Sequence, residues 1–143
     1  MTGKIDGNDT PKIVDRIAKQ GWVSLALWMS VGLLLESLMA YKAPSYLNDL
    51  QRRELFRLAH AHGSALALLL VLVAIWIRTV EVKISGLTVF ALRFGAGLLP
   101  IGFLTAGIWH PEGDPGIAIW LVPVSALALI FGIISLSISK RSS

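Results

Sequence analysis

Four apolar segments, each close to twenty residues long, restrict the fold of this chain more than any other feature. They cover residues 22–40, 58–77, 87–109 and 117–138. A helix needs about 20 apolar residues to cross the ~30 Å hydrocarbon layer of a membrane. The segments therefore predict four transmembrane helices, which fill most of a 143-residue chain and leave no room for a separate soluble domain.

Composition supports a membrane location for these segments. Hydrophobic residues make up 55% of the chain and charged residues only 15%, whereas a soluble domain carries about 25% charged residues. We therefore predict an all-α integral membrane protein with a single four-transmembrane-helix bundle over 22–140. Residues 1–21 are expected to form a cytoplasmic tail and 141–143 a cytoplasmic C-terminus. The first span is expected to be retained, because 38–40 is a poor signal-cleavage site.

A short amphipathic helix is predicted ahead of the first span. Thr10 suits a helix N-cap, and Pro11 suits the first helical position. Apolar residues at positions 13, 14 and 17 share one side of this helix, and Gly21 is expected to end it. A helix of this kind lies flat on a membrane surface.

The first loop predicts a second surface helix. Pro44 breaks the chain after the first span, and Ser45 is placed to cap an interfacial helix that runs on toward the second span. The leucines of this segment, Leu55 among them, share one side of the helix. We expect that side to face lipid.

Lysine and arginine are divided unevenly between the two ends of the predicted bundle. Eight lie on the side of both termini: Lys4, Lys12, Arg16, Lys19, Arg78, Lys83, Lys140 and Arg141. Four lie in the first loop, on the other side: Lys42, Arg52, Arg53 and Arg57. Cytoplasmic loops are enriched in these residues, so both termini are predicted to be cytoplasmic and the chain integral to the plasma (inner) membrane. This orientation explains the net charge of +4 without a nucleic-acid partner.

Small residues predict which side of each span packs against its neighbours. In lipid, small residues let helices approach closely, whereas leucine-rich faces have no reason to be buried. The predicted stripes are Gly32, Glu36 and Ala40 in the first span; His60, Ser64, Ala67 and Ala74 in the second; Ala91, Gly95, Gly102, Ala106 and His110 in the third; and Ser125, Ala128, Gly132, Ser135 and Ser139 in the fourth.

Three ionisable residues fall on these stripes, namely Glu36, His60 and His110. Such groups are costly at membrane depth, usually face a protein interior and mark a functional site. All three are predicted to lie near the outer membrane face. Residues two apart on a helix point about 200° away from each other. We therefore assign His60 to the interior and His62 to the lipid side, where it would meet headgroups or another subunit; the two roles would swap if the first loop packed its leucines inward.

Several chemistries fit these residues. Glu36, His60 and His110 match the ligand set of a two-histidine, one-carboxylate transition-metal site, with Glu112 as a further oxygen ligand. A b-type haem is an alternative, with His60 and His110 as axial ligands. A proton relay is a third, because histidine titrates near neutral pH. In a fourth interpretation, each histidine is an interfacial hydrogen-bonding residue.

The sequence excludes several classes of site and leaves a second function open. Cysteine is absent, which rules out disulfides, iron–sulfur clusters, thiolate zinc sites and cysteine nucleophiles. Glycine-rich phosphate loops, serine-hydrolase elbows and His-Glu-x-x-His zinc helices are absent from the sequence as well. The competing interpretation is a non-catalytic subunit, whose small-residue stripes and His62 serve a homo-oligomer or a larger membrane complex.

Overall fold

The computed structural model describes residues 10–111 and 113–140, and its regular elements are helices. They are α1 (Thr10–Ala40), α2 (Pro44–Leu47), α3 (Leu50–Val80), α4 (Gly86–Ile108), a 3-10 helix (Ile117–Trp120) and α5 (Leu121–Ser137). Four segments are long and apolar enough to cross a membrane: α1, α3, α4 and the continuous run Ile117–Ser137. The predicted C-terminal segment at 141–143 and the candidate ligand Glu112 lie outside the described residues.

The four long helices pack side by side in an open row. α1 packs against α3, α3 against α4, and α4 against α5. Within the described chain, α5 has no contact with α1 or α3, and α1 touches α4 over a small area. The row therefore places α3 and α4 in the middle, where they are most buried, and α1 and α5 at its edges. In a closed bundle, by contrast, every helix would have two full neighbours.

The first helix is continuous through Gly21, so the prediction of a separate amphipathic helix is wrong. A side chain at Gly21 would meet Val71 and the backbone carbonyl of Ala67 on α3. Ile17, one turn earlier, is fully buried in the hydrophobic core. The apolar stripe thus packs against neighbouring helices instead of a membrane surface, and Gly21 allows close packing rather than ending the helix.

The first loop also differs from its prediction. Asp49, not Ser45, caps the helix that leads into the second span, because its Oδ1 accepts a hydrogen bond from the Arg52 amide at 2.9 Å. The predicted interfacial helix is therefore the first part of α3 itself. Leu55 does not face lipid; it is buried against Gly107 of α4, where the missing side chain leaves space for it.

Small-residue packing is confirmed in the second half of the chain. Four predicted residues of α4 are buried, namely Ala91, Gly95, Gly102 and Ala106. A side chain at Gly95 would meet Ser125 and Leu129 of α5, and one at Gly132 would meet Leu92 of α4. The glycines of the two helices therefore fit against each other's larger residues and set the spacing of the α4–α5 pair.

The stripe predicted for α1 is correct at Gly32, which packs against His60 of α3, and wrong at its other two residues. Glu36 and Ala40 are exposed, and α1 instead buries Trp28 and Leu35. The Trp28 ring occupies the space beside Gly63 of α3, which a side chain at that position would fill. A large residue that packs on a glycine buries a helix face as well as two small residues do. A rule based on small residues alone misses this kind of contact.

Gly95→Ala should force α4 and α5 apart. Its Cβ would lie 2.8 Å from the Leu129 Cβ, the Leu129 nitrogen and the Ser125 carbonyl oxygen, and backbone atoms can yield only if the helices move. Overpacking of this kind costs about 1–3 kcal/mol, so we expect a lower Tm by tryptophan fluorescence in detergent. Gly97→Ala is the matched control, because its Cβ would meet Gln20 Nε2 at 3.5 Å. Equal Tm values in the two variants would contradict this packing.

Candidate functional site

A groove of about 490 Å³ lies between α1 and α3, with Tyr46 of α2 at its border. We call it the α1–α3 groove. Its apolar lining includes Met29, Leu33, Leu35 and Met39. Its polar lining consists of Glu36, Tyr46, Arg57 and His60. The groove therefore combines an apolar wall with hydrogen-bonding and charged groups, which is the usual composition of a site for a small molecule.

The imidazole of His60 is held in a fixed orientation. Its Nδ1 lies 2.8 Å from the carbonyl oxygen of Trp28. A carbonyl oxygen can only accept a hydrogen bond, so Nδ1 carries the proton and Nε2 of the neutral ring is an acceptor. The ring also lies directly over Gly32, where any side chain would overlap it. Together these two contacts leave the ring little freedom to rotate.

The surrounding sequence explains why the ring is seated there. On α1, Trp28 and Gly32 are one turn apart, and on α3 Gly63 and His60 are about one turn apart. Trp28 packs on Gly63, while His60 packs on Gly32. Each helix thus offers one ring and one glycine to its antiparallel neighbour. The tryptophan fixes the spacing of the two helices, and that spacing brings the Trp28 carbonyl within reach of His60.

Two opposite charges lie on the α1–α3 groove beside this ring. Glu36 follows Gly32 by one turn on α1 and is exposed. Arg57 precedes His60 by one turn on α3, and its Nη1 lies 3.7 Å from Glu54 Oε2. That ion pair is exposed and holds Arg57 only weakly. Both charges are therefore accessible to a ligand in the groove.

The third predicted residue, His110, has different partners. Its Nε2 is buried and lies 3.2 Å from Asp49 Oδ2, at ion-pair distance but without an aligned hydrogen bond. Arg52 completes this group, since its Nε donates to the Gly107 carbonyl at 3.1 Å and its Nη1 to the Ser45 carbonyl at 3.2 Å. The Asp49 cluster, as we call Asp49, Arg52 and His110, joins the first loop, the start of α3 and the end of α4.

Electrostatics in the Asp49 cluster favour the ionised carboxylate. The hydrogen bond from the Arg52 amide is the main reason that the pKa of Asp49 lies below its usual value, and it outweighs the opposing effect of desolvation. The charges of His110 and Arg52 lower this pKa further. The cluster is thus built to hold a carboxylate at a helix N-terminus, where negative charge is stabilised.

The structure brings Glu36 and His60 to one groove and places His110 in the Asp49 cluster. His62 is exposed, and its ring centroid lies 5.1 Å from that of Phe103 on α4. Over residues 10–111 and 113–140, no group of three or more His, Asp or Glu side chains is arranged to hold a metal ion. No known protein family, curated protein or solved structure matches the chain.

Sequence reasoning gave no site role to Trp28, Asp49 or Arg52. Gly32 was predicted on a packing stripe, but not as the residue beneath the His60 ring. Arg57 was counted among the basic residues of the first loop, and its position three residues before His60 places it on the same helix face. The seat of the imidazole could not be found this way, because it depends on which residues of α1 and α3 stand opposite each other.

Asp49→Asn should lower the Tm at neutral pH, because it removes the negative charge of the cluster. Asparagine is itself a good N-cap residue, so the effect reports the charge and not the loss of the cap. A carboxyl whose pKa is lower in the folded state stabilises the fold above its unfolded pKa of about 3.9. That stabilisation is lost as the pH falls through the lower folded value. The Tm difference between wild type and Asp49→Asn should therefore shrink as the pH falls below about 4. A difference that grows below about pH 4 would contradict this role of the carboxylate.

Proposed function

We propose that this chain is a small integral membrane protein that binds an amphiphile in the α1–α3 groove, with His60 as the group that recognises the ligand's head. The observation that carries the proposal is the fixed imidazole. Its Nδ1 is committed to the Trp28 carbonyl, which leaves Nε2 to accept a hydrogen bond from a ligand. A ring that is held in advance loses little entropy on binding.

Membrane insertion is part of this proposal. Four segments have the length and hydropathy of membrane spans, and large apolar residues cover the exposed sides of α1 and α5. We place the protein in the plasma (inner) membrane with both termini in the cytoplasm, because lysine and arginine are more frequent at that end. The α1–α3 groove then lies toward the outer face, where Glu36 and Arg57 can reach water or headgroups.

The composition of the groove favours a quinol-class ligand, meaning a ring with two hydroxyl groups and an apolar tail. The volume of about 490 Å³ is within the range of ~300–1,000 Å³ for small-molecule sites. Met29 and Met39 are flexible, polarisable side chains that adapt to irregular apolar ligands. One quinol hydroxyl would donate to His60 Nε2, and the carboxylate of Glu36 would accept the other or a bridging water.

The predicted metal or b-type haem site stays a prediction. A haem with two axial histidines needs two imidazoles facing one another, and of the three histidines only His60 lines the groove. Nε2 of His110 faces Asp49 instead. The geometry therefore gives an amphiphile more support than a cofactor held by both histidines.

His60→Asn should weaken quinol binding. The asparagine amide can still donate to the Trp28 carbonyl, but nothing replaces Nε2. Loss of one hydrogen bond, about 0.5–1.5 kcal/mol, corresponds to roughly two- to twelvefold weaker affinity. We would titrate the nanodisc-embedded chain with a short-tailed quinol and follow the quenching of tryptophan fluorescence. Gly32→Ala, whose Cβ would overlap the His60 ring, should weaken binding as well.

His62→Asn is the control for this experiment, because His62 lies away from the groove beside Phe103. Its affinity should equal that of wild type. Unchanged binding in His60→Asn, or equal losses in both variants, would contradict the proposal. An absorption spectrum and metal analysis of the same samples test the cofactor prediction. A Soret band or stoichiometric metal that disappears in His60→Asn would show that His60 binds that cofactor and not a quinol.

Assembly with itself or with a larger membrane complex is a second candidate, and the open row favours it. α1 and α5 each pack fully against one neighbour, so both edges of the row can accept another helix. Two copies joined edge to edge would complete the bundle that one copy leaves open. Native mass spectrometry from nanodiscs gives the copy number, and we expect more than one chain. A strictly single chain without a partner would contradict this candidate.

A further inference from the structure

A second polar site lies at the other end of the row, around Arg93. This arginine is the only charged residue of α4, a helix otherwise built from apolar and small residues. It is half-buried, and its Nε donates to Gln20 Oε1 at 2.6 Å. Gln20 Nε2 in turn donates to the Arg93 carbonyl at 2.9 Å. These two reciprocal bonds fix the guanidinium between α1 and α4.

Most hydrogen-bonding capacity of this guanidinium is left over. Arginine has five N–H donors, and in the described part of the chain the side chain of Arg93 donates to Gln20 alone. Gly97, one turn further along α4, lies beside Gln20, because a Cβ at this position would meet Gln20 Nε2 at 3.5 Å. Arg16 precedes Gln20 by one turn on α1 and is exposed. Among the residues that the structure describes, Arg93 has no carboxylate at ion-pair distance.

The charge of the whole end supports an anionic ligand. Its described cations are Lys12, Arg16, Lys19, Arg78, Lys83, Arg93 and Lys140, and its described anions are Asp15 and Glu81, which gives +5. The opposite end has the cations Lys42, Arg52, Arg53 and Arg57 and the anions Glu36, Asp49, Glu54 and Asp114, which gives zero. We call the first the basic end. It attracts anionic lipids, whereas the other end has no such preference.

Depth along the helix also suits a lipid phosphate. Arg93 lies seven residues after Gly86, the first residue of α4, which places its Cα about 10 Å from that end. Side chains on a helix tilt toward its N-terminus, so the stem of Arg93 extends toward the membrane surface. Phe90, one turn nearer that surface, is exposed and stacks with Phe94. Acyl chains have an aromatic surface to pack on beside the guanidinium.

We propose that Arg93, oriented by Gln20, binds the phosphate of an anionic phospholipid in the leaflet at the basic end. A planar guanidinium binds two phosphate oxygens at once, which an ammonium group cannot do. Arg16, one turn before Gln20 on α1, adds a second exposed positive charge at the basic end. This inference rests on the proposed membrane insertion and is independent of the ligand in the α1–α3 groove.

The test is lipid retention in native mass spectrometry of the full chain, released from nanodiscs of equal phosphatidylglycerol and phosphatidylcholine. We expect wild type to retain phosphatidylglycerol preferentially. Arg93→Gln should reduce that preference at least about tenfold, the effect of losing charge-assisted hydrogen bonds. Two further variants should each lose part of the preference for phosphatidylglycerol. Gln20→Ala leaves the guanidinium without its orienting partner, and Arg93→Lys keeps the charge but lacks the planar guanidinium.

Lys83→Gln is the matched control, because it removes one positive charge from the same end and lies in the α3–α4 turn. Its preference should fall far less than that of Arg93→Gln, because Lys83 adds only to the general charge of the basic end. An equal loss in Lys83→Gln and Arg93→Gln, or no loss in Arg93→Gln, would overturn the proposal. If Arg93→Gln does not fold, the losses of preference in Arg93→Lys and Gln20→Ala are compared with that of Lys83→Gln instead.

Displacement of the lipid by millimolar inorganic phosphate would overturn the assignment to a lipid. Quinol titration of the same wild-type sample reports on the groove separately.

Discussion

The close approach of α1 and α3 depends on glycine at three positions, Gly21, Gly32 and Gly63. At each of them a side chain would overlap the opposite helix. Both candidate sites follow from this contact. Gly32 makes room for the His60 ring, and Gly21 holds α1 against α3 so that the adjacent Gln20 reaches Arg93 on α4. Helix spacing, not the polar residues themselves, therefore determines which polar groups meet.

His60 and Arg93 are polar groups within apolar helices, and each has an uncharged hydrogen-bond partner on a neighbouring helix. His60 uses a backbone carbonyl that already belongs to a helix, since a carbonyl oxygen has two lone pairs. Arg93 uses a glutamine side chain, which accepts and donates at once. Neither partner is charged, so each group keeps part of its capacity for a ligand. In a buried ion pair, the partner's charge would have occupied the hydrogen-bonding groups that are left for a ligand here.

Much of the architecture follows from the sequence. Apolar segment length predicts the four long helices, and small residues correctly predict the facing sides of α4 and α5. The same rule finds Gly32 of α1 but misses Trp28, the centre of the buried face, because a large ring on Gly63 packs as closely as two small residues. The metal-ligand hypothesis for Glu36, His60 and His110 placed these residues by helix face and by depth. Neither criterion reveals that His110 lies beside Asp49, since that contact depends on the fold of the first loop.

The central claim, that His60 is held with Nε2 available to a ligand, is tested most directly by nitrogen-15 NMR of histidine-labelled protein in lipid nanodiscs. Comparison with His60→Asn identifies the signal of His60. We predict a proton on Nδ1 and an unprotonated Nε2, with the Nε2 signal shifted by added quinol and the ring signal altered in Gly32→Ala. A proton on Nε2, or a signal indifferent to both quinol and Gly32→Ala, would contradict the account.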